Sequence, residues 1–557
     1  MVKLLVSLLC ASLCSTVLCQ QRETRIVQIS QGPVRGYKDP EYGVYTFFGI
    51  PYATAPTGLD RYKAPLPGPS WLTPFDADND RIICPQATVP LFEPFYTNSD
   101  KWQNCLIANV YVPDTTEKNL PVLVVVHGGS FQVGSGNILK PMNLVKSNNI
   151  ITVTFNYRLG ILGFLCLGTP TAPGNAGMKD QVALLRWVQK NIAKFGGNPD
   201  DVTVSGYSAG SGSVELLMLS PLAKGLFKKV ISESGSALAS FAVQTDPLDI
   251  AKKFAKMYIE HVDNNYALEE FYQNASLEIL TSDSFAYEKD STFFSPCVEG
   301  NVGQEVFLAD SPYDILKRGN YKKLPYLAGF TNGDGLLNIG IFDQWKNEMN
   351  DDFSEFLPAN LQFINKKQKE KIAKDIKEFY FGNKTVSEDT VVSYVDYFTD
   401  VMFAHPAVQA VQYHVKAGSK VYLYQYNYVD ELTPFIPYSN VKKAYHTAES
   451  FAVYDGLKLF NITENNLPEN NRQHKAIMRQ LWGNFIKTGA PVPEGSSLPS
   501  WPPTGENASP HMSLGQTIEL GGSLITEGVQ LWDKIYKRHY REPQQAKRSI
   551  FDIINYL

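Results

Sequence analysis

No long basic run breaks the charge balance of this chain: 51 Lys and Arg stand against 56 Asp and Glu over 557 residues, a net charge of −5. A nucleic-acid partner therefore has little electrostatic support. Cysteine is scarce as well, with 7 in all. Three of them, Cys10, Cys14 and Cys19, fall at the extreme N-terminus, so a dense disulfide framework is excluded. Beyond that N-terminus no segment reaches the roughly 18 apolar residues that a membrane helix needs. No internal repeat appears, and no linker marks a place to cut the chain. Charged residues make up only 19% and hydrophobic ones 44%, which rules out a disordered polymer and supplies a large core.

The N-terminus itself reads as a targeting segment. Lys3 gives a positive start, Leu4 to Leu18 is apolar, and Val17-Leu18-Cys19 precedes Gln20. This pattern predicts a cleaved secretory signal at residues 1–19, a single domain over 20–557, and a secreted protein with no stable membrane insertion. Lys547 to Leu557 is too short and polar for a lipid-anchor signal. Export makes disulfides chemically possible among the remaining Cys84, Cys105, Cys166 and Cys297. The sequons at Asn274, Asn383, Asn461 and Asn507 are candidate glycosylation sites, the last weakened by Pro510.

Continuous apolar runs come next. Val122 to Val126 and Ile150 to Phe155 suit central parallel strands buried on both faces. Met178, Val182, Leu185, Val188 and Ile192 recur at three- and four-residue spacing, which predicts a helix from about Gly177 to Lys194. Asp201 to Ser205, Lys229 to Ser232, Tyr326 to Gly329 and Tyr422 to Tyr428 are further strand candidates, and Ser213 to Leu219 a helix. Alternation of this kind argues an α/β fold with a mostly parallel sheet. The Lys-rich stretch Lys366 to Lys377 reads as a solvated helix face.

Gly206-Tyr207-Ser208-Ala209-Gly210 matches G-x-S-x-G. Chance alone supplies about 0.2 such matches in a chain this long, given typical Gly and Ser usage. The setting separates it from an ordinary Gly-rich turn: a strand runs in and an apolar helix leaves, with Ser208 as the candidate nucleophile. A serine hydroxyl needs a base and an orienting acid. His127, His261, His405, His414, His446, His474, His511 and His539 are all available, and chain order favours the later ones.

With these residues in place, the sequence resembles the type-B carboxylesterase and cholinesterase-like family of α/β-hydrolases over nearly all of residues 20–557. The matching segments are Phe48-Gly49-Ile50-Pro51-Tyr52-Ala53, His127-Gly128-Gly129, Asn156-Tyr157-Arg158-Leu159-Gly160, and the long stretch from Gly174 to Gly210. The resemblance implies an α/β-hydrolase fold with a large, mostly parallel sheet and gorge-forming insertions. It assigns Ser208 as nucleophile, Asp334 in the segment GFTNGDG as acid, and His446 in Tyr445-His446-Thr447-Ala448-Glu449 as base. Glu449 falls on a supporting acidic position. The oxyanion donors it implies are the amides of Gly129, Ser130 and Ala209. It pairs Cys84 with Cys105 and offers no partner for Cys166 and Cys297, whose state stays open, buried free thiols being one reading. Phe131, Phe403 and Trp102 are candidates for a gorge lining, against the alternative of plain core.

Four departures from the family pattern stand out. The acid is Asp334 rather than Glu, one methylene shorter. Tyr207 precedes the nucleophile where cholinesterases carry Glu. Ser130 replaces the third Gly of the oxyanion loop, and Gln103 and Asn104 precede Cys105 where Glu and Asp are usual, so a carboxylate–arginine brace is expected to be missing. The expected activity is hydrolysis of uncharged small-to-medium hydrophobic carboxylic esters, since nothing offers a box for a quaternary ammonium; no metal and no cofactor are expected. The alternative is a catalytically weak or inactive binding or adhesion protein of the same fold.

Overall fold

The computed structural model describes residues 22–88, 100–101, 104–260, 262, 265–282, 289, 294–456 and 462–546. The signal segment 1–19, Trp102, Gln103, His261, Asn461 and the C-terminal stretch 547–557 lie outside them. One 13-stranded sheet organises the described residues. Its principal strands are β1 (Thr24–Ile29), β2 (Gly32–Lys38), β3 (Val44–Pro51), β4 (Ile107–Pro113), β5 (Leu120–Val126), β6 (Ile151–Phe155), β7 (Gly197–Tyr207), β8 (Lys229–Glu233), β9 (Tyr326–Thr331), β10 (Val421–Tyr426), β11 (His511–Leu514) and β12 (Ile518–Gly521). They lie in the order β1-β2-β3-β4-β6-β5-β7-β8-β9-β10-β11-β12, with the short strand Phe75–Asp76 beside β2.

From β6 through β5 to β11 every pairing is parallel. The two flanks, β1 to β4 and β12, are antiparallel. The parallel centre explains the continuous apolar runs. On β5, Val122, Val124 and Val126 enter the core on one face, while Leu123 and Val125 enter a second core on the other. A strand covered on both sides has no polar face to alternate with.

Helices cover both faces: α1 (Ala176–Asn191), α2 (Ala209–Leu219), α3 (Lys366–Phe381), α4 (His405–Lys416), α5 (Ala448–Val453) and α6 (Glu469–Thr488) are the ones that matter below. The α1 stripe Met178, Val182, Leu185 and Val188 packs into the first core, as its spacing predicts, and Ile192 follows in a closing 3₁₀ turn. On α3 the buried side is Ala373, Ile376 and Phe381, while Lys366, Lys367, Lys371 and Lys374 face solvent. No helix among the described residues is long and apolar enough to cross a membrane.

Two of the sequence signatures turn out to be structural ties. Arg158 and Asp180 form a buried two-point pair, Nη2 to Oδ1 at 2.6 Å and Nε to Oδ2 at 2.8 Å, fixing α1 to the end of β6. The Tyr157 hydroxyl donates to the His127 carbonyl at 2.9 Å and so holds the loop that follows β5.

Cys84 and Cys105 are bonded, as the resemblance implies. Cys166 and Cys297, whose state the sequence leaves open, are not free thiols: they form a second disulfide across 131 residues. Gly174 makes this possible. A Cβ there would stand 2.6 Å from the Cys297 sulfur and 2.8 Å from that of Cys166.

Candidate active site

The residues singled out from the sequence gather at the carboxyl ends of neighbouring parallel strands, the usual place for chemistry in open α/β sheets. β7 delivers Ser208, β9 delivers Asp334, and the loop after β10 delivers His446.

Ser208 stands between β7 and α2 with φ 57° and ψ −125°, a conformation that L residues adopt only under constraint. The constraint is steric. A Cβ on Gly206 would lie 2.2 Å from the Gly210 carbonyl oxygen, and one on Gly210 would lie 2.2 Å from the Val126 carbonyl oxygen. Strand and helix can meet this closely only because both flanking positions are glycine. The Ser208 amide donates to the Glu233 carbonyl at 2.8 Å, and the Gly212 amide closes back on the Ser208 carbonyl at 3.1 Å.

Asp334 is fully buried. Its Oδ1 lies 2.7 Å from His446 Nδ1, and its Oδ2 accepts from the Thr331 amide at 2.9 Å and the Ser234 hydroxyl at 3.2 Å. The backbone makes up for the shorter side chain. Gly333 bridges Tyr445 in parallel fashion, and the Ala444 amide donates to Asn332 Oδ1 at 2.9 Å. These ties draw the acid turn against the segment that carries His446. A Cβ on Gly333 would stand 2.6 Å from the Ala444 carbonyl oxygen, so the approach needs that glycine.

His446 Nε2 is sealed from solvent and has no hydrogen-bond partner among the described residues. Its ring lies 4.6 Å, centroid to centroid, from that of Phe403. Of the other described histidines, only His414 also lies on a carboxylate, that of Glu215. Burial holds His127, His405 and His474 down to about 4, and His539 sits at the surface on the Gln362 carbonyl.

Behind the acid stands a chain of groups. The Ser234 hydroxyl lies 3.2 Å from Asp334 Oδ2 and 2.6 Å from Glu449 Oε1, with one proton to give. Burial, and then the charge of Asp334, push the Glu449 carboxyl well above its ordinary range. A neutral Glu449 can donate from Oε1 to Ser234, which then donates to Asp334, while Glu449 Oε2 has no hydrogen-bond partner among the described residues. Glu233, one residue before, accepts from the Ser450 hydroxyl at 2.5 Å, the Trp482 indole at 2.6 Å and the Ser205 hydroxyl at 3.4 Å. Burial pushes it up to about 7. Sequence reasoning identified Glu449 as a supporting position but missed Glu233 and Ser234. The segment Ser232-Glu233-Ser234-Gly235-Ser236, polar where a buried strand ends, is the signal that marks them.

The loop after β5 lies on the elbow. A Cβ on Gly128 would be 2.8 Å from the Ser208 Cβ and 2.7 Å from the Tyr207 carbonyl oxygen. Gly129 takes φ 108°, and Ser130 and Phe131 follow in the left-handed region at φ 54° and 61°. Among the described residues, the amides of Gly129, Ser130 and Ala209 have no acceptor. Phe131 itself is plain core, edge-on to Phe164 at 5.1 Å. Phe403 lies in a single π-helical turn, Asp400–Ala404, and faces the histidine. At the loop where the family usually has an acid, Asn104 Oδ1 accepts from the Ala55 amide at 3.2 Å, a neutral tie.

Sheet order and elbow together define an α/β-hydrolase. The sequence profile of the carboxylesterase family matches residues 23–532, and the chain belongs to that family. It is 32% identical over 518 residues to esterase FE4 of Myzus persicae, covering 88% of each chain. With the juvenile hormone esterase of Heliothis virescens it shares 31% over 519 residues, covering 88% of this chain and 90% of that one. A crystal structure of juvenile hormone esterase from Manduca sexta, with OTFP covalently attached, superposes with a TM-score of 0.83 at 28% identity. That match covers 92% of this chain and 100% of the other. Family membership implies hydrolase activity and suggests a small-molecule ester as substrate.

Proposed function

We propose that the protein is a secreted serine carboxylesterase that hydrolyses uncharged small-to-medium hydrophobic esters through an acyl-enzyme on Ser208. The observation that carries this reading is the pair of Asp334 and His446 at 2.7 Å, with Nε2 of the same ring unpartnered. His446 takes the Ser208 proton as the hydroxyl attacks the ester carbonyl. Asp334 holds the imidazole tautomer and stabilises the imidazolium. The amides of Gly129, Ser130 and Ala209 receive the developing oxyanion, each donor worth about 3 kcal/mol in the transition state. The imidazolium then protonates the leaving alcohol, and water repeats the sequence on the acyl-enzyme. The Manduca sexta structure, with its covalently attached OTFP, supports a covalent route. The uncharged surface of Phe403 beside the histidine supports an apolar ester.

Export is supported by the apolar N-terminal segment and by two disulfides, which persist in oxidising compartments. Asn274, Asn383 and Asn507 are exposed, as glycosylation requires.

The test is hydrolysis of a p-nitrophenyl ester series by the wild type and by Ser208→Ala, with an organophosphonate probe on both. Turnover and labelling are expected to vanish together in the variant. A folded wild type that neither turns over nor labels would replace the esterase reading with that of a binding protein.

A further inference from the structure

Glu215 is the lone charged residue of α2, AGSGSVELLML, and lies in the second turn after Ser208. It and His414 are both sealed completely from solvent. Burying polar groups this deeply is costly unless close partners satisfy them. Here the partners are complete. His414 Nε2 lies 3.0 Å from Glu215 Oε1, and His414 Nδ1 lies 2.9 Å from the Tyr321 hydroxyl. On Glu215 Oε2 the Ser236 hydroxyl donates at 2.8 Å and the Ala237 amide at 2.7 Å. One carboxylate thus joins α2, α4 and the turn that follows β8.

That turn borders the reacting groups. A Cβ on Gly235 would stand 2.3 Å from the Ser208 carbonyl oxygen. Ser236 Oγ also accepts from the Leu238 amide at 3.1 Å, and the Ser236 carbonyl accepts from the Ala239 amide at 3.1 Å. Ala239, Phe241 and Ala242 then form an apolar cluster with Phe403, the ring that faces His446. The hydrogen bonds of Glu215 therefore set where this wall begins.

We infer that Glu215, backed by His414, is a specificity-determining positioning residue: it fixes the wall of Ala239, Phe241 and Phe403, and thereby the length of hydrophobic chain the site accepts. The inference rests on the esterase reading and deepens it. Loosening the tie lets the wall retreat and favours longer chains. One methylene in an apolar pocket is worth roughly ten-fold or more in discrimination.

The experiment measures kcat and KM for wild type, Glu215→Gln and Ser236→Ala on two series. One is p-nitrophenyl esters from acetate to octanoate, and the other is acetates of lengthening alcohols. In at least one series the preference for long over short chains should rise about five-fold or more in Glu215→Gln, chiefly through KM of the longer members. Ser236→Ala, which removes one donor to Glu215 together with the acceptor of the Leu238 amide, should move the same ratio in the same direction, and it decides the matter if Glu215→Gln does not fold. Unchanged ratios, or an equal fall across both series, would overturn the inference, because a merely structural tie lowers every substrate alike. A wild type that turns over no ester would instead remove the esterase reading on which it stands.

Discussion

Asp334 is one methylene shorter than the acid usual in its family, yet it reaches His446 Nδ1 at 2.7 Å because Gly333 bridges Tyr445. Restoring the longer side chain therefore has no room to help. Asp334→Glu would drive a carboxylate into a ring already in contact. Displacements of about 1 Å at such a site cost on the order of 100-fold in rate. We expect kcat/KM for a short ester to fall by about ten-fold or more, with a loss of stability of about 1–3 kcal/mol from overpacking the buried site. Asp334→Asn keeps the shape but offers the wrong tautomer, and the expected loss in kcat is about 10⁴-fold. Steady-state rates of the two variants beside the wild type check both figures. An Asp334→Glu enzyme at the wild-type rate would mean that the bridge does not set the reach.

The strand–elbow–helix unit of β7, Ser208 and α2 makes a paired prediction at the next scale. Gly210→Ala places a methyl 2.2 Å from the Val126 carbonyl oxygen, backbone that cannot rotate away. The helix must lift off β5, at an expected cost of about 3 kcal/mol. Gly212→Ala, two residues on, meets the Ser236 carbonyl oxygen at 3.4 Å, an ordinary contact. It should be neutral or stabilise by up to about 1 kcal/mol through helix propensity. Urea midpoints of the two variants test the contrast, and a Gly210→Ala protein as stable as Gly212→Ala would refute the steric account. This unit was legible from the sequence, since its glycines, strand and apolar helix are adjacent in the chain. So were β5, β6 and α1, whose side chains report burial through local period. The pairing of Cys166 with Cys297 and of Glu215 with His414 was not, because contacts across 131 and 199 residues leave no local pattern. Asp334 and His446 were reached only through family likeness, because neither residue's neighbours announce the other.

At the scale of the whole molecule, Glu233 links the layers. It ends β8 in the parallel centre of the sheet, and its carboxylate is held by Ser205 on β7, Ser450 on α5 and Trp482 on α6. Despite three donors, burial pushes it up to about 7 from an ordinary value of 4.5. The sign of the effect on stability follows from proton binding. Below the ordinary value, folded and unfolded chains both hold the proton and the group is neutral to the balance. As pH rises, the unfolded chain releases its proton first, so stability declines until the folded carboxyl has ionised as well, near pH 7. A gap of this size is worth about 3 kcal/mol. Glu449, raised well above its range, acts in the same direction from the ordinary carboxyl value upward. Glu233→Gln presents an uncharged amide at every pH, so its donor can face Ser450 while its oxygen keeps Trp482. Relative to wild type, the variant should therefore gain stability between pH 5 and pH 8 by up to about 3 kcal/mol, read from urea unfolding at both values. Identical pH slopes for the two proteins would mean that Glu233 is ionised throughout, with its three donors outweighing its burial.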